Sequence, residues 1–224
     1  MTPEQEAARF DPETYKSPMP YMGGKSRVAA EVWERFGDVP NYCEPFMGSA
    51  AVLFRRPVEH EWWERIETVN DYDGMVANFW RALKQDPEGV AEAADWPVNE
   101  NDLHAKHVWL KGQREGLRER LEGDPEWCDP KVAGWWVWAV CQWIGGPLFA
   151  DGPWVSEGGL LVDARKTRED GCWRKRPHLG NAGMGVHRKL PHLGDAGRGQ
   201  CEEWSCHLRQ YMQSLADRLR RVRV

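Results

Sequence analysis

The sequence predicts an α/β fold: a mostly parallel sheet interrupted by a helical and Gly/Arg-rich insertion. Two observations carry this. Short strands alternate with helical patterns between residues 26 and 83. Two helical patterns then follow each other with no strand between, and the stretch from Gly145 to Gly199 gives up periodicity for Gly, Pro, Arg and His.

Each element has its own signal. Residues 1–16 form a polar leader that is expected to be flexible. Ser26 to Phe36 reads as a short amphipathic helix, with Val28, Val32, Trp33 and Phe36 on one side and Gly37 as its stop. Val39 to Cys43 is expected as a strand, Gly48 to Phe54 as a helix, and Ile66 to Val69 as a second strand. Asp73 caps the next helix, whose face is Met75, Val76, Phe79, Trp80 and Leu83. A charged helix covers 101–121. Another starts at Asp129-Pro130, a cap followed by a first-turn proline, and carries Val132, Trp135, Trp136, Trp138, Val140, Trp143 and Ile144. That helix is apolar around most of its circumference, so burial is expected rather than a base-stacking platform. The last helix, 202–221, places Trp204, Leu208, Met212, Leu215 and Leu219 on one face, with Arg218, Arg220 and Arg221 crowding its end. Val222 to Val224 starts a strand that returns to the sheet. The expected organisation is therefore leader 1–16, α/β part 17–95, insertion 96–221 and strand start 222–224.

Composition narrows the class. The chain has 224 residues, 41% of them hydrophobic, enough for one core with an inserted module. No run reaches the roughly 18–20 apolar residues that cross a bilayer, so no membrane partner is expected. The polar, acidic N-terminus is not a secretory signal, and six scattered Cys suit reduced thiols in a cytoplasmic protein. Net charge is −5, but it divides unevenly. Residues 160–224 hold 14 Lys+Arg against 7 Asp+Glu, or +7; the remainder holds 16 against 28, or −12. An acidic body with a basic segment fits either a nucleic-acid-facing region or a solvated basic loop.

Three short runs suggest a pocket for a nucleoside-bearing cofactor. They are Tyr21-Met22-Gly23-Gly24-Lys25, Glu44-Pro45-Phe46-Met47-Gly48-Ser49-Ala50 and Asn70-Asp71. Asp71, at the end of the second strand, suits a ribose diol. Gly48, Ser49 and Ala50 let the chain turn closely around a ligand. Glu44 can face an ammonium group, Phe46 can form an apolar wall, and Lys25 can meet a carboxylate. Gly24-Lys25-Ser26 is not a phosphate loop, because that pattern needs Gly where Met19 stands. No nucleophile elbow of a serine hydrolase appears.

In order and spacing these runs resemble the motifs of Dam-like, amino-methylating DNA adenine methyltransferases. The direct match covers roughly residues 17–83. The resemblance implies a Rossmann-like methyltransferase fold, with S-adenosylmethionine held by Tyr21, Gly23, Gly24, Lys25, Glu44, Pro45, Phe46, Gly48, Ser49, Ala50 and Asp71. It also implies a target-recognition insertion and double-stranded DNA as partner, with the methyl group going to the exocyclic amino group of adenine. One departure is Ala50, where the family motif ends in Gly. The family's Asp-Pro-Pro-Tyr catalytic motif is absent from the sequence. The nearest run, Asp151-Gly152-Pro153-Trp154, keeps an acid, one proline and an aromatic, and reads either as a working variant or as a turn. The expectation is that this chain stops short of the catalytic motif and that a C-terminal fragment in trans would complete it.

A decapeptide repeat adds a further candidate. Arg174-Lys175-Arg176-Pro177-His178-Leu179-Gly180-Asn181-Ala182-Gly183 recurs at Arg188-Lys189-Leu190-Pro191-His192-Leu193-Gly194-Asp195-Ala196-Gly197. Arg174, Lys175, Arg176, Arg188, Lys189 and Arg198 could neutralise phosphates, or the repeat could be a duplicated surface loop. Cys172, Cys201, Cys206 and His207 lack paired short-gap zinc spacing, so no metal is expected. Two other readings stay open: a non-catalytic cofactor- and DNA-binding protein on the same scaffold, and an RNA methyltransferase.

Overall fold

The computed structural model describes residues 15, 17–21, 23–37, 39–57, 65–143, 148–149, 154–157, 160–163 and 202–224, with the backbone alone at 154–157, 160–163 and 202–206. In chain order the elements are α1 (Ala29–Phe36), β1 (Asn41–Glu44), α2 (Ala51–Phe54), β2 (Ile66–Val69), α3 (Gly74–Gln85), α4 (Pro87–Ala94), α5 (Glu100–Gly123), α6 (Pro130–Gln142), β3 (Trp154–Glu157), β4 (Leu160–Asp163), α7 (Glu202–Leu219) and β5 (Val222–Arg223). The fold is α/β.

The main sheet has the order β1-β2-β5, and both pairings are parallel. Its register places Tyr42 opposite Glu67 and Glu44 opposite Val69, and these four side chains are buried. Val222 of β5 pairs with Glu67 and is fully buried, so β5 adds a third strand beside β2. Lys84 of α3 donates to the Val222 carbonyl at 2.8 Å and fixes that strand. β3 and β4 form a separate antiparallel hairpin.

The core lies between the sheet and a helical layer. The α3 face read from the sequence, Met75, Val76, Phe79, Trp80 and Leu83, is buried in full. Asp73 caps this helix by accepting from the Met75 N–H at 3.0 Å. Asp129 does the same for α6 through the Val132 N–H. Asn78, buried on α3, exchanges two hydrogen bonds with the Asp129 backbone and anchors the start of α6 to α3. Trp136 and Trp138 of α6 are buried, while Trp135 and Trp143 are half-buried. α6 also crosses α4 closely. A Cβ on Gly134 would meet the Ala93 Cβ and the Val90 carbonyl at 2.5 Å, so only Gly permits this approach.

Several expectations need correction. The first helix starts at Ala29, not Ser26, and packs mainly through Ala29 and Trp33; Val28 and Phe36 are exposed. Its two turns are too short to bury a stripe from end to end. The first strand is shifted to Asn41–Glu44. The helix expected from Gly48 begins at Ala51, because Gly48 and Ala50 both adopt left-handed backbone (φ +52° and +57°), which no helix continues. α4 was not foreseen, although Asp86 caps it through the Gly89 N–H and Pro87 fills its first turn. The strand pair β3–β4 arises inside a stretch expected to lack periodicity. Of the three arginines crowding the end of the last helix, Arg220 and Arg221 are exposed and Arg218 is not. It is buried, in an ion pair with Glu67.

That ion pair belongs to a buried triad. Glu67 of β2 accepts from Arg218 of α7 at 2.7 Å on each oxygen and from Arg56, just after α2, at 3.1 Å. Arg56 also lies over the rings of Trp33 and Tyr42. Burial alone would raise the Glu67 carboxyl, but the hydrogen bonds and charges of the two guanidinium groups outweigh it and hold the group below the ordinary carboxylate value. The triad links three elements separated widely in sequence: α2, β2 and α7.

Candidate functional site

β1 and β2 run parallel, so their carboxyl ends and the loops after them lie side by side. In open α/β sheets this is where ligands bind. Two backbone bonds stitch the loops together: Asn70 N–H to the Glu44 carbonyl and Met47 N–H to the Asn70 carbonyl, both 2.9 Å. Residues 44–50 and 70–73, separate in the sequence, become one surface.

Asp71 sits at the centre of this junction. One carboxylate oxygen accepts from the Gly48 N–H at 2.8 Å and the other from the Asp73 N–H at 3.0 Å. A carboxylate has about four acceptor positions. Two are filled here, which leaves capacity for a diol. Gly48 is needed twice. Its φ of +52° is a left-handed conformation, and a Cβ there would strike the Tyr21 ring at 2.8 Å. The Gly48 carbonyl accepts from the Trp80 indole at 2.8 Å, so a buried Trp on α3 props the loop from below.

Tyr21 closes over this loop. A turn with Gly23 at φ +78° and a Gly24 N–H to Tyr21 carbonyl bond of 2.9 Å presents it. Burial, reinforced by the charges of Asp71 and Asp73, pushes its hydroxyl up to about 12, so it stays protonated at neutral pH.

Lys25 reaches across to the second loop. Its ammonium donates to Glu44 at 3.1 Å and to the Phe46 carbonyl at 2.6 Å. Glu44 is 5% exposed. Its second oxygen accepts from the Tyr42 hydroxyl at 2.9 Å, and the Leu53 backbone N–H in the first turn of α2 adds a further bond. Burial holds the Glu44 carboxyl above its ordinary value, and the bonds and charge of Lys25, the Tyr42 hydroxyl and the Leu53 N–H oppose that rise without cancelling it. The site thus presents an anion and a cation in contact, the complement of an amino-acid zwitterion. Phe46 is 68% exposed beside them and offers an apolar face. Ser49 and Ala50 are buried in the floor.

The structure therefore brings together Tyr21, Gly23, Gly24, Lys25, Glu44, Pro45, Phe46, Gly48, Ser49, Ala50 and Asp71. Sequence reasoning missed Tyr42 and Trp80 as supports. Tyr42 was findable, because residues two apart on a strand share a face and Tyr42 precedes Glu44 by two. Nothing local marks Trp80, which meets Gly48 only through the fold.

Other candidates fall elsewhere. Asp151 and Pro153 lie outside the described residues, and Trp154 opens β3. Arg174, Lys175, Arg176, Arg188, Lys189 and Arg198 also lie outside them. Among the described residues no group of three His, Cys, Asp or Glu could hold a metal ion. Among them, too, no helix is long and apolar enough to cross a membrane.

Comparison with known proteins gives one match. Residues 21–114 match the family model for the D12 class N6 adenine-specific DNA methyltransferase. The matched segment begins at Tyr21, spans β1, β2, α3 and α4, and ends within α5. It contains every residue of the site just described. The match supports an enzyme of the methyltransferase class and methylation of adenine in DNA. No curated protein and no solved structure matches the chain.

Proposed function

We propose that this protein uses S-adenosylmethionine to methylate the N6 amino group of adenine in DNA, with the cofactor held on a Rossmann-like sheet at the ends of β1 and β2. One observation carries the cofactor assignment. Asp71, locked by the Gly48 N–H, and the contacting Lys25–Glu44 pair meet on one surface at the strand ends. The donor set suits the ligand. Asp71 keeps two free acceptor positions for the ribose hydroxyls. Glu44 receives the ammonium and Lys25 the carboxylate of the methionine end, each giving up part of its contact with the other. Phe46 supplies an apolar face for the adenine. When bound, the cofactor supplies an electrophilic methyl group on a cationic sulfur. The chain's residues hold and orient it, and Tyr42 and Leu53 keep the Glu44 carboxylate aimed.

A second reading is favoured by the sequence. No Asp-Pro-Pro-Tyr run is present to accept hydrogen bonds from the target amino group. A protein with this pocket and no such motif would bind cofactor and DNA without turnover. Incubating the 224-residue chain with adenine-containing duplex and isotope-labelled S-adenosylmethionine separates the two. Labelled N6-methyladenine in the digested nucleosides, lost with Asp71→Ala, supports the methyltransferase reading. Binding of cofactor and duplex with no label transferred supports the non-catalytic one. Preferential labelling of RNA would refute DNA as substrate.

A further inference from the structure

Helix α5 carries two charge columns of opposite sign. Lys111, Arg114 and Arg118 follow the i, i+3, i+7 spacing of one flank, and Glu115, Glu119 and Glu122 follow an i, i+4, i+7 spacing on the next. The cationic column lies next to the candidate cofactor site. Arg118 lies 4.5 Å from the ring centroid of Tyr72, the residue after Asp71, and Tyr72 is 73% exposed. The Arg118 backbone and Leu117 approach Gly74 at the start of α3, so this end of α5 is packed against the loop that carries Asp71. Farther along, Arg114 lies 5.3 Å from the ring of Phe149. Lys111 and Arg114 are exposed.

From this placement we infer that the Lys111–Arg114–Arg118 column, with Tyr72 at its end, is a contact surface for the backbone of duplex DNA, guiding the duplex past the cofactor site. The inference rests on the DNA reading above. The column spans about 10 Å along the helix, and a duplex presents roughly six phosphate charges over that length. Three cations in a row match such a track, and an exposed aromatic under a guanidinium is a surface that also accepts a base or sugar. The neighbouring glutamates give the surface a direction. Glu122 already pairs with Arg118 at 2.7 Å, and Glu115 and Glu119 face outward, so phosphates are repelled from the outer side of α5 and confined to the flank nearest Tyr72. None of these residues belongs to the basic repeat.

The test uses the full chain, a labelled adenine-containing duplex and fluorescence anisotropy over a salt series. Lys111→Ala with Arg114→Ala should reduce the negative slope of log K against log salt by about 1.8 and weaken binding roughly eightfold per lost contact at 0.1 M salt. S-adenosylmethionine affinity should not change. Arg35→Ala with Arg220→Ala removes the same charge from α1 and the end of α7 and should leave duplex binding nearly intact. An equal loss in both double variants would mean that net charge matters and the column does not, and would overturn the inference. So would an unchanged slope in the Lys111/Arg114 variant while the wild-type chain binds duplex. A wild-type chain that binds no duplex refutes the DNA reading itself. Tighter wild-type binding to an RNA duplex, with the same loss in the variant, reassigns the column to RNA.

Discussion

Replacing Arg218 by alanine removes the larger half of the buried triad. Arg218 meets Glu67 with a two-pronged contact, 2.7 Å on each oxygen, and the two side chains are 8% and 11% exposed. Breaking one side of a buried ion pair costs about 3–5 kcal/mol, because the remaining charge is left without compensation. Arg56 stays within 3.1 Å of Glu67 and softens the loss, so the lower end, about 3 kcal/mol, is expected. With a urea dependence of about 2 kcal/mol per molar, the unfolding midpoint falls by roughly 1.5 M. Adding Glu67→Gln to the Arg218→Ala chain should recover part of this, since the buried charge is then gone. The pH dependence has a definite sign. The Glu67 carboxyl is depressed in the folded protein, so its contribution is present above the unfolded carboxyl value near pH 4.3 and is lost as pH falls through the folded value. Arg218→Ala should therefore destabilise more at pH 7 than at pH 3. A midpoint shift below about 0.5 M at neutral pH would refute the idea that this contact holds α7 and β5 to β2.

Three further outcomes follow from local geometry. Ala50→Gly should change stability by less than about 0.5 kcal/mol: relief of left-handed backbone, roughly 1–2 kcal/mol, is offset by a lost buried methyl, about 0.8 kcal/mol, and the extra chain entropy of Gly, about 0.5–1 kcal/mol; urea melts check this, and a gain above about 1 kcal/mol would show that the strain dominates. Tyr42→Phe removes a hydroxyl bonded to a buried carboxylate and should lose about 1.5–3 kcal/mol on the same melts, with weaker cofactor binding. Lys106, buried with its ammonium 3.9 Å from the Trp96 ring and 4.3 Å from the Trp138 ring and without a hydrogen-bond partner, has its pKa pulled down to about 8 by burial; lysine NMR should show this, and stability should rise as pH climbs from about 8 towards 10.5, where the unfolded lysine still binds a proton and the folded one does not.

Local signals were enough for α3 and for the start of α6. Asp73 and Asp129 read as caps because an acid before an apolar helical pattern has a direct partner in the next turn. The α3 face followed from its period alone. The site runs were legible because each consists of small residues and a charged group near a strand end. What those groups touch was not legible. The Lys25–Glu44 contact bridges 19 residues and the Asp71–Gly48 contact 23, and both depend on parallel pairing of β1 and β2. Arg218 looked like one of several helix-end arginines because its partner, Glu67, lies 151 residues away. Ala50 looked like a question of space around a methyl group. The structure turns it into one of backbone conformation, since Ala50 occupies the left-handed region, which favours Gly. α4 was missed although Asp86-Pro87 is as good a start as Asp129-Pro130, because its eight residues carry too few large apolar groups to show a face.

The claim that the ends of β1 and β2 hold the methyl donor is tested most directly by calorimetric titration of S-adenosylmethionine into the wild-type chain and into Asp71→Ala. Saturable one-to-one binding is expected for the wild type. The variant should bind about 10- to 100-fold more weakly, because hydrogen bonds to a charged acceptor contribute about 1.5–3 kcal/mol. Equal affinity in the two proteins would remove Asp71 from the site and contradict the account.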